Sequence, residues 1–336
     1  MEIGVIGGGS WGTALAKLLA ENGHQVSMWV HEPPLAKTIR EEFINPTYLP
    51  EIPLPKNLVA TNSMEEAVSG KEMVLSVPPS HVLREVLEQA KEYLPEGVPI
   101  VSATKGIENE TLLLVSGIFE DVLPARFHPF LCYLSGPSFA KEVALQKPTA
   151  VTIASYNHAL AVKMQQVFSC SFFRAYTSND VIGVEVGGAL KNVIAIASGA
   201  VSGMELGLNA SAGMITRGLH EITRLAVRLG ANPLTLTGMA GMGDLVLTCT
   251  GGLSRNRTVG YKLGQGMKIE EILEEMQMVA EGVKTSKSVY DLSRQLDVEM
   301  PISEQVYEVI YEGKDPREAV VDLMSRDLKP ERSGWM

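Results

Sequence analysis

One lysine lies where a charge is costly. The segment VEVGGALKNVIAIASG, residues 184–199, is almost entirely aliphatic, alanine and glycine, yet Lys191 and Asn192 stand in its middle. Burying an ammonium costs several kcal/mol unless a partner offsets its desolvation. A lysine can donate a proton as an ammonium and accept one as an amine, so Lys191 is a candidate acid–base group. The alternative is a structural lysine whose ammonium reaches the surface along its aliphatic stem.

A glycine-rich segment, GMAGMGDLVLTCTGGLSRNR at residues 238–257, carries polar groups that could surround such a lysine. Asp244 could offset the charge of Lys191. Ser254, Arg255 and Asn256 follow, and a guanidinium can bind phosphate through two points, so Arg255 is a candidate phosphate ligand. The alternative is a glycine-rich connection between helices that carries a surface arginine.

Polar groups also follow two apolar strands. Lys105 comes directly after PIVSAT, and Gly136 and Ser138 follow FLCYLS. In a doubly wound sheet, ligands lie beyond the carboxyl ends of the strands. We therefore expect Lys105 to face a ligand, with donors from Gly136 and Ser138 nearby; the alternative for Lys105 is a solvated strand cap.

The first turn, Gly7-Gly8-Gly9-Ser10-Trp11-Gly12, has the spacing GxGxxG. It directly follows a strand and directly opens a helix, which is the context that a dinucleotide site requires. Gly7 permits the tight turn, Gly9 lets the backbone approach a pyrophosphate, and Gly12 lets helix and strand pack closely. A plain strand-to-helix turn is the alternative.

Cofactor choice depends on the end of the second strand, which lies about 20 residues past the glycines, where an adenosine ribose is read. Glu32 has the spacing of an acceptor for the ribose 2′-hydroxyl, whereas His31 could meet a 2′-phosphate. Glu32 precedes Pro33, which restricts its backbone, and we expect its side chain to point to solvent.

The two halves of the chain show different secondary-structure patterns, and both halves contribute candidate site residues. In the first half of the chain, apolar strands alternate with helices, which predicts a Rossmann-type, doubly wound parallel sheet. From about residue 180 the apolar spacing is helical, as in IEEILEEMQ and SEQVYEVIYEG. We expect a dinucleotide-binding domain over residues 1–180 and an all-helical substrate and catalytic domain over residues 181–330.

Composition excludes several classes of function. The 336 residues carry a formal net charge of −10, which does not favour nucleic-acid binding, and hydrophobic residues make up 45%, enough for two cores. Three dispersed cysteines without a CxxC fit a reducing compartment, and the histidines show no metal spacing. No leader segment and no uninterrupted apolar run of about 18 residues is present, so we expect a cytoplasmic protein without stable membrane insertion.

Taken together, the motifs resemble the bacterial-type NAD(P)-dependent sn-glycerol-3-phosphate dehydrogenases, which have a two-domain build like that of 6-phosphogluconate dehydrogenase. The likeness covers nearly the whole chain and rests on ten segments in order: GGGSWGTALA, VPPSHV, ATKGI, SGPSFAKE, GGALKNVIAI, ITRGLHE, GMAGMGDLVLTCT, LSRNR, VAEGVKT and MPISEQVY. Such enzymes exchange a hydride between NAD(P)H and dihydroxyacetone phosphate at C2. The nicotinamide supplies the hydride, so no metal is expected.

The resemblance also implies a role for each matching residue. Lys191 is then the proton acceptor with Asn192 beside it, and Lys105, Asp244 and Thr248 complete the reacting centre. The substrate is held by Lys105, Gly136, Ser138, Lys191, Asp244, Ser254, Arg255 and Asn256. The cofactor is held by Gly7, Gly9, Ser10, Trp11, Gly12, His31, Tyr48, Lys105, Ala140, Arg255, Val279 and Glu281. Many relatives carry arginine at position 31, so the histidine leaves the choice between NADPH and NADH open. The family further suggests a homodimer that supplies sn-glycerol 3-phosphate to phospholipid synthesis.

Two other functions remain as alternatives. Another β-hydroxyacid dehydrogenase, of the 3-hydroxyisobutyrate or 6-phosphogluconate type, would also carry a lysine on a glycine-flanked helix. Those enzymes pair that lysine with an asparagine four residues later, where this chain has Ala195. A nicotinamide-nucleotide sensor could keep the fold without catalysis. The joint presence of Lys191, Lys105 and Asp244 argues against a sensor.

Overall fold

The computed structural model describes residues 1–276 and 280–331. The chain divides into two compact units: one contains residues 1–105 and 115–181, and the other contains residues 106–114 and the chain from 182 onward. The segment 106–114 groups with the second unit, where the Ser288 hydroxyl donates to the Ile107 carbonyl over 3.2 Å. The boundary drawn between residues 180 and 181 from the sequence stays a prediction about independently folding domains.

The first unit is built on an eight-stranded sheet whose order is β5-β2-β1-β6-β7-β8-β9-β10, with β3 and β4 forming a separate hairpin. From β5 to β8 this is the strand order of a dinucleotide-binding sheet. The Rossmann-type fold class predicted from the sequence is confirmed. The strands are β1 Glu2–Ile6, β2 Gln25–Trp29, β3 Ile44–Asn45, β4 Leu49–Pro53, β5 Leu58–Thr61, β6 Met73–Ser76, β7 Ile100–Ser102, β8 Leu131–Ser135, β9 Thr149–Ala154 and β10 Phe173–Ser178.

One strand departs from the parallel arrangement. β9 pairs antiparallel with β8, whereas β9 and β10 are parallel to each other. Parallel neighbours need a crossover of a dozen or more residues, usually built around a full helix. The connection from β8 to β9 holds only a five-residue helix, while an eleven-residue helix joins β9 to β10.

Helices cover both faces of this sheet, and their ends carry local signals. Ser63 and Asn157 accept N–H groups at the starts of α3 and α7, and Pro33 opens α2 with a backbone already suited to a helix. The helices of this unit are α1 Ser10–Glu21, α2 Pro33–Glu42, α3 Met64–Val68, α4 Leu83–Ala90, α5 Val115–Val122, α6 Ala140–Ala144 and α7 His158–Phe168.

The sheet edge at β10 is closed by side-chain and backbone hydrogen bonds. The Ala175 N–H donates to the Ser169 hydroxyl over 3.2 Å, and the Gln165 amide donates to the Ala175 carbonyl over 2.8 Å. The Cys170 N–H donates to the Phe173 carbonyl over 2.8 Å. These contacts satisfy outward-facing backbone groups of an edge strand that would otherwise be open to pairing with another chain.

The second unit is helical, as its sequence predicts. Its longest described helix, α8, is long and apolar enough to cross a membrane by length and composition, but nearly all of its most apolar stretch is buried inside the protein. The helices are α8 Val181–Gly203, α9 Gly207–Arg228, α10 Asp244–Thr250, α11 Arg255–Gly264, α12 Ile269–Glu274, α13 Glu281–Gln295, α14 Pro301–Tyr311 and α15 Pro316–Met324.

Four glycines bring α8 and α11 into backbone contact. A Cβ at Gly199 or Gly203 of α8 would lie 2.1 Å from a carbonyl oxygen of α11, and a Cβ at Gly260 or Gly264 of α11 would lie 1.8 or 2.4 Å from a carbonyl oxygen of α8. No side chain fits at these distances. The spacing of four residues in both helices places each glycine pair on one helix face.

A buried carboxylate joins α9 to α14. Glu221 accepts the Ile302 N–H over 2.7 Å, and it accepts both the N–H and the hydroxyl of Ser303 over 3.2 Å. These are orphan donors of the first turn of α14, which Pro301 opens. Burial raises the pKa of Glu221 from its ordinary 4.5 to about 7, against the opposing effect of these hydrogen bonds and of Arg224.

Candidate active site

Lys191 is buried in the middle of α8 and forms an ion pair. Its ammonium donates to Oδ1 of Asp244, and the two side chains are only 10% and 1% exposed. The carboxylate offsets the desolvation that a lone ammonium would suffer on this apolar helix. The pairing of Lys191 with Asp244 expected from the sequence is present in the structure.

The backbone around Asp244 explains how so short a side chain reaches α8. A Cβ at Gly187, one turn before Lys191, would lie 2.4 Å from the Ala240 carbonyl, so the glycine lets the segment approach closely. Residues 239–243 form a π-helical turn, and Asp244 then begins α10. Such turns are rare and occur frequently at functional sites.

Thr248 completes this group from one turn further along α10. Its hydroxyl donates to the Asp244 carbonyl over 2.6 Å, and its oxygen lies 3.4 Å from Oδ1 of the same residue. Thr248 is buried. The structure therefore brings Lys191, Asp244 and Thr248 together, as the resemblance implies.

Asn192 and Asn256 meet in a second buried contact. Nδ2 of Asn256 donates to Oδ1 of Asn192 over 2.9 Å, and Oδ1 of Asn256 accepts the Gly282 N–H over 2.9 Å. The two side chains link α8, α11 and the start of α13. Sequence reasoning missed Gly282; its one signal was its place in VAEGVKT, a segment of the resemblance.

Ser254 and Arg255 stand at the beginning of α11. The Ser254 hydroxyl accepts the Arg257 N–H over 3.2 Å and so caps the helix, while Arg255 is the first helical residue and is exposed. A helix N-terminus attracts anions through its N–H groups and its dipole. An exposed guanidinium at that end has the chemistry of a phosphate ligand.

The strand-end residues of the first unit also lie together. Nζ of Lys105 donates to the Gly136 carbonyl over 3.2 Å, and the Ser138 hydroxyl donates to the same oxygen over 2.9 Å. Gly136 has φ +147°, and a Cβ there would lie 2.8 Å from Cα of Val151. The sequence expectation that these three residues are neighbours agrees with the geometry.

The glycine turn fits a dinucleotide. Gly7 has φ +118°, and a Cβ at Gly12 would lie 1.9 Å from the Gly7 carbonyl, so neither position takes another residue. A Cβ at Gly9 would project into open space, with no described atom within 4 Å, and among the described residues no side chain caps the start of α1 there. The turn therefore offers an open backbone surface at a helix N-terminus, where a pyrophosphate would lie.

Two residues at the end of β2 differ in their surroundings. His31 is exposed, with its ring 5.8 Å from that of Trp29. Glu32, by contrast, accepts the Tyr48 hydroxyl over 2.7 Å, and this hydrogen bond raises the pKa of Tyr48 above its ordinary value. The expectation that Glu32 points to solvent is wrong, because the extended backbone before Pro33 directs the carboxylate to Tyr48.

The remaining cofactor residues expected from the resemblance fall at helix starts. Ser10 is the first residue of α1, Ala140 the first of α6 and Glu281 the first of α13. Trp11 and Ala140 pack on the same small apolar cluster. Val279 lies outside the described residues.

The described part of the chain carries histidine, cysteine and acidic side chains, the residue types on which metal and thiol chemistry depend. It contains no group of three or more histidine, cysteine, aspartate or glutamate side chains that could hold a metal ion. Burial raises the thiol pKa of both Cys132 and Cys249 to about 12, so neither is a nucleophile near neutral pH.

The sequence is similar to glycerol-3-phosphate dehydrogenases along nearly its whole length. The sequence model described as the N-terminus of NAD-dependent glycerol-3-phosphate dehydrogenase matches residues 2–161, and the model of its C-terminus matches residues 180–321. A protein of Leptospira biflexa named glycerol-3-phosphate dehydrogenase (NAD(P)+) is 54% identical over 98% of this chain and 99% of its own. One of Myxococcus xanthus with the same name is 55% identical over 99% of this chain and 100% of its own.

A solved structure supports the family found by the sequence comparisons. The glycerol-3-phosphate dehydrogenase of Coxiella burnetii superposes with a TM-score of 0.92 at 38% identity, covering 97% of this chain and 99% of that one.

Proposed function

The chain belongs to the NAD-dependent glycerol-3-phosphate dehydrogenase family, and from that premise we propose how it works. It catalyses the reversible transfer of a hydride between NAD(P)H and dihydroxyacetone phosphate at C2, giving sn-glycerol 3-phosphate. The nicotinamide supplies the hydride when it is bound, and the residues of the chain supply the proton, the orientation and the charge.

The buried ion pair of Lys191 and Asp244 carries this proposal. In reduction, the Lys191 ammonium polarises the C2 carbonyl and gives its proton to the developing alkoxide. In oxidation, the Lys191 amine takes the hydroxyl proton. Asp244 orients Lys191 and balances its charge, and Thr248 fixes the backbone and carboxylate of Asp244.

The substrate phosphate is assigned to the start of α11. Arg255 binds the phosphate through its guanidinium, and the first N–H groups of α11, which Ser254 precedes, add to the attraction. Lys105, Gly136 and Ser138 also bind the substrate, and Lys105 contacts the cofactor. The support for these roles is their match to the family motifs and the hydrogen bonds that group them.

The cofactor is assigned to the glycine turn and the end of β2. The backbone at Gly9 approaches the pyrophosphate, with Ser10 and Trp11 beside it, and His31, Tyr48, Ala140, Val279, Glu281 and Arg255 complete the contacts. Glu32, held by Tyr48, favours a ribose that keeps its 2′-hydroxyl, whereas His31 is a candidate hydrogen-bond partner for a 2′-phosphate. Both cofactors are therefore substrates.

The setting of the enzyme is inferred from its family resemblance. It acts in the cytoplasm as a homodimer and supplies sn-glycerol 3-phosphate for phospholipid synthesis. The three separate cysteines agree with a reducing compartment.

One assay tests the reaction and the role of Lys191 together. The purified protein is mixed with dihydroxyacetone phosphate and either NADH or NADPH, and oxidation of the nicotinamide is followed. We expect turnover with both cofactors, and a loss of about 10²-fold or more in kcat for Lys191→Ala, with cofactor binding retained. Absence of turnover in the wild-type protein contradicts the activity, and normal turnover of a folded Lys191→Ala variant contradicts the role of the lysine.

A further inference from the structure

A chain of hydrogen bonds determines which way two buried amides face. It runs from the Gly282 N–H at the start of α13 to Asn256 at the start of α11, and from there to Asn192 on α8. Asn256 and Asn192 are only 8% and 3% exposed. All three residues belong to the second unit.

The Gly282 N–H fixes the orientation of both amide side chains. A backbone N–H can only donate, so the atom of Asn256 that faces Gly282 must be its amide oxygen. Nδ2 of Asn256 then faces Asn192 and can only donate, so the facing atom of Asn192 must be Oδ1. The assignment follows from the backbone donor and does not depend on telling amide oxygen from nitrogen.

This orientation has a consequence for the residue next to Lys191. With its oxygen occupied by Asn256, Asn192 presents Nδ2, a group with two hydrogens and no acceptor, on its other side. A donor of this kind stabilises an oxygen that gains negative charge. An acceptor in the same place would repel it.

We propose that Asn256 is a positioning residue: it holds Asn192 with its amide NH2 directed to the substrate oxygen at C2, where it assists Lys191. This rests on the proposed dehydrogenase function and refines it, because the family resemblance places Asn256 on the substrate itself. In the structure Asn256 uses its oxygen and one amide hydrogen on Gly282 and Asn192.

The decisive variant is Asn256→Asp. Its carboxylate still accepts the Gly282 N–H, but its second oxygen now faces Oδ1 of Asn192, and Asn192 must rotate so that its NH2 faces Asp and its oxygen faces the substrate. We expect kcat to fall by about 10²-fold, the usual result of removing a donor from a developing oxyanion. The matched control is Asn157→Asp, because an aspartate caps α7 as well as the exposed asparagine does.

Substrate choice separates positioning from direct phosphate binding. Dihydroxyacetone has the same C2 carbonyl but no phosphate. Positioning predicts that Asn256→Asp lowers kcat/KM for dihydroxyacetone, which has no phosphate for the new carboxylate to repel, as well as for its phosphate. A loss of kcat/KM that is confined to the phosphorylated substrate overturns the proposal and indicates that Asn256 binds the phosphate directly.

A double-mutant cycle covers the case in which the aspartate variant does not fold. If Asn256 acts only through Asn192, Asn256→Ala adds no loss in kcat to a protein that already carries Asn192→Ala, because contacting residues are not additive. Losses that multiply overturn the proposal. Wild-type turnover of dihydroxyacetone phosphate is measured first, so that failure of the dehydrogenase assignment is seen separately from failure of this inference.

Discussion

Asp244 and Glu221 are both buried carboxylates of the second unit, but their partners differ in kind. Asp244 faces the ammonium of Lys191, whereas Glu221 faces backbone N–H groups and the hydroxyl of Ser303. An ammonium can give up its proton during a reaction, and an amide cannot. The nature of the partner therefore separates a carboxylate that supports chemistry from one that holds two helices together.

The energetics of the two sites differ as well. A buried ion pair gains little net stability, because the attraction only about offsets the desolvation of both charges. Glu221 is also buried, but the hydrogen bonds from the start of α14 and the charge of Arg224 only partly offset its desolvation, so burial raises its pKa to about 7. Four predictions test this contrast, beginning with the largest effect.

Replacing Asp244 by asparagine is expected to damage both activity and stability. The change leaves the Lys191 ammonium buried without its counter-charge, which costs about 3–5 kcal/mol for a broken buried pair. We expect kcat to fall by about 10²-fold or more, since the lysine is no longer oriented. Steady-state kinetics and denaturant unfolding measure the two losses; a variant that keeps wild-type stability would show that the pair is not desolvated.

Removing both charges is expected to restore stability without activity. In the double variant Lys191→Met with Asp244→Leu, two apolar side chains of similar shape replace the pair, and replacing a buried ion pair by packed apolar groups is often neutral or stabilising by about 1–4 kcal/mol. We expect an unfolding free energy near that of the wild type and no turnover. Retained turnover would show that Lys191 takes no part in the reaction. A loss of stability as large as that of Asp244→Asn would show that the pair has a structural role.

Glu221 is expected to make stability depend on pH in the opposite sense to an ordinary ion-paired carboxylate. Its folded pKa of about 7 exceeds its ordinary 4.5, so the folded protein binds the proton more tightly than the unfolded chain. Stability from this group is therefore full below about pH 4.5 and is lost as the pH rises through about 7. Between about pH 5.5 and 8 the loss should be about 2 kcal/mol.

Denaturant midpoints of the wild type and of Glu221→Gln at the two pH values test this prediction. The glutamine cannot ionise, so its stability should change less with pH, and kcat should stay near the wild-type value because Glu221 contacts helix starts only. Parallel pH profiles for the two proteins would contradict the assignment.

The smallest effect is expected at a third carboxylate, Glu32, which is partly exposed and accepts a neutral hydroxyl from Tyr48. Glu32→Gln removes a negative charge from the place where a 2′-phosphate would bind. The ratio of kcat/KM for NADPH to that for NADH should rise about five-fold, equivalent to about 1 kcal/mol for an exposed charge pair. An unchanged ratio would mean that Glu32 does not face the ribose.

Local patterns in the sequence predict most of this architecture. The alternation of strands and helices indicates the Rossmann-type sheet, and a lysine within an apolar helix needs a compensating charge, for which Asp244 is one candidate in the sequence. The antiparallel direction of β9 could not be predicted, because an apolar strand has the same residue pattern in either direction.

The amide contacts could not be predicted for a different reason. Asn192 and Asn256 are 64 residues apart, and neutral amides give no charge requirement that would point from one to the other. The contact of Glu32 with Tyr48 was missed in the same way, since each residue has a plausible role without the other. A buried charge requires an opposite charge elsewhere in the sequence, whereas a hydrogen bond with a neutral partner, such as an amide or the Tyr48 hydroxyl, carries no such requirement.

The four glycines between α8 and α11 have a consequence for mutational tolerance. In a library of all single substitutions selected for function, Gly199, Gly203, Gly260 and Gly264 should be depleted of every alternative, alanine included, because even one methyl group meets a carbonyl oxygen. Such intolerance is commonly interpreted as evidence of catalysis. Here it would mark four positions to which no catalytic or binding role is assigned, and it would reflect how closely the backbones of α8 and α11 approach each other.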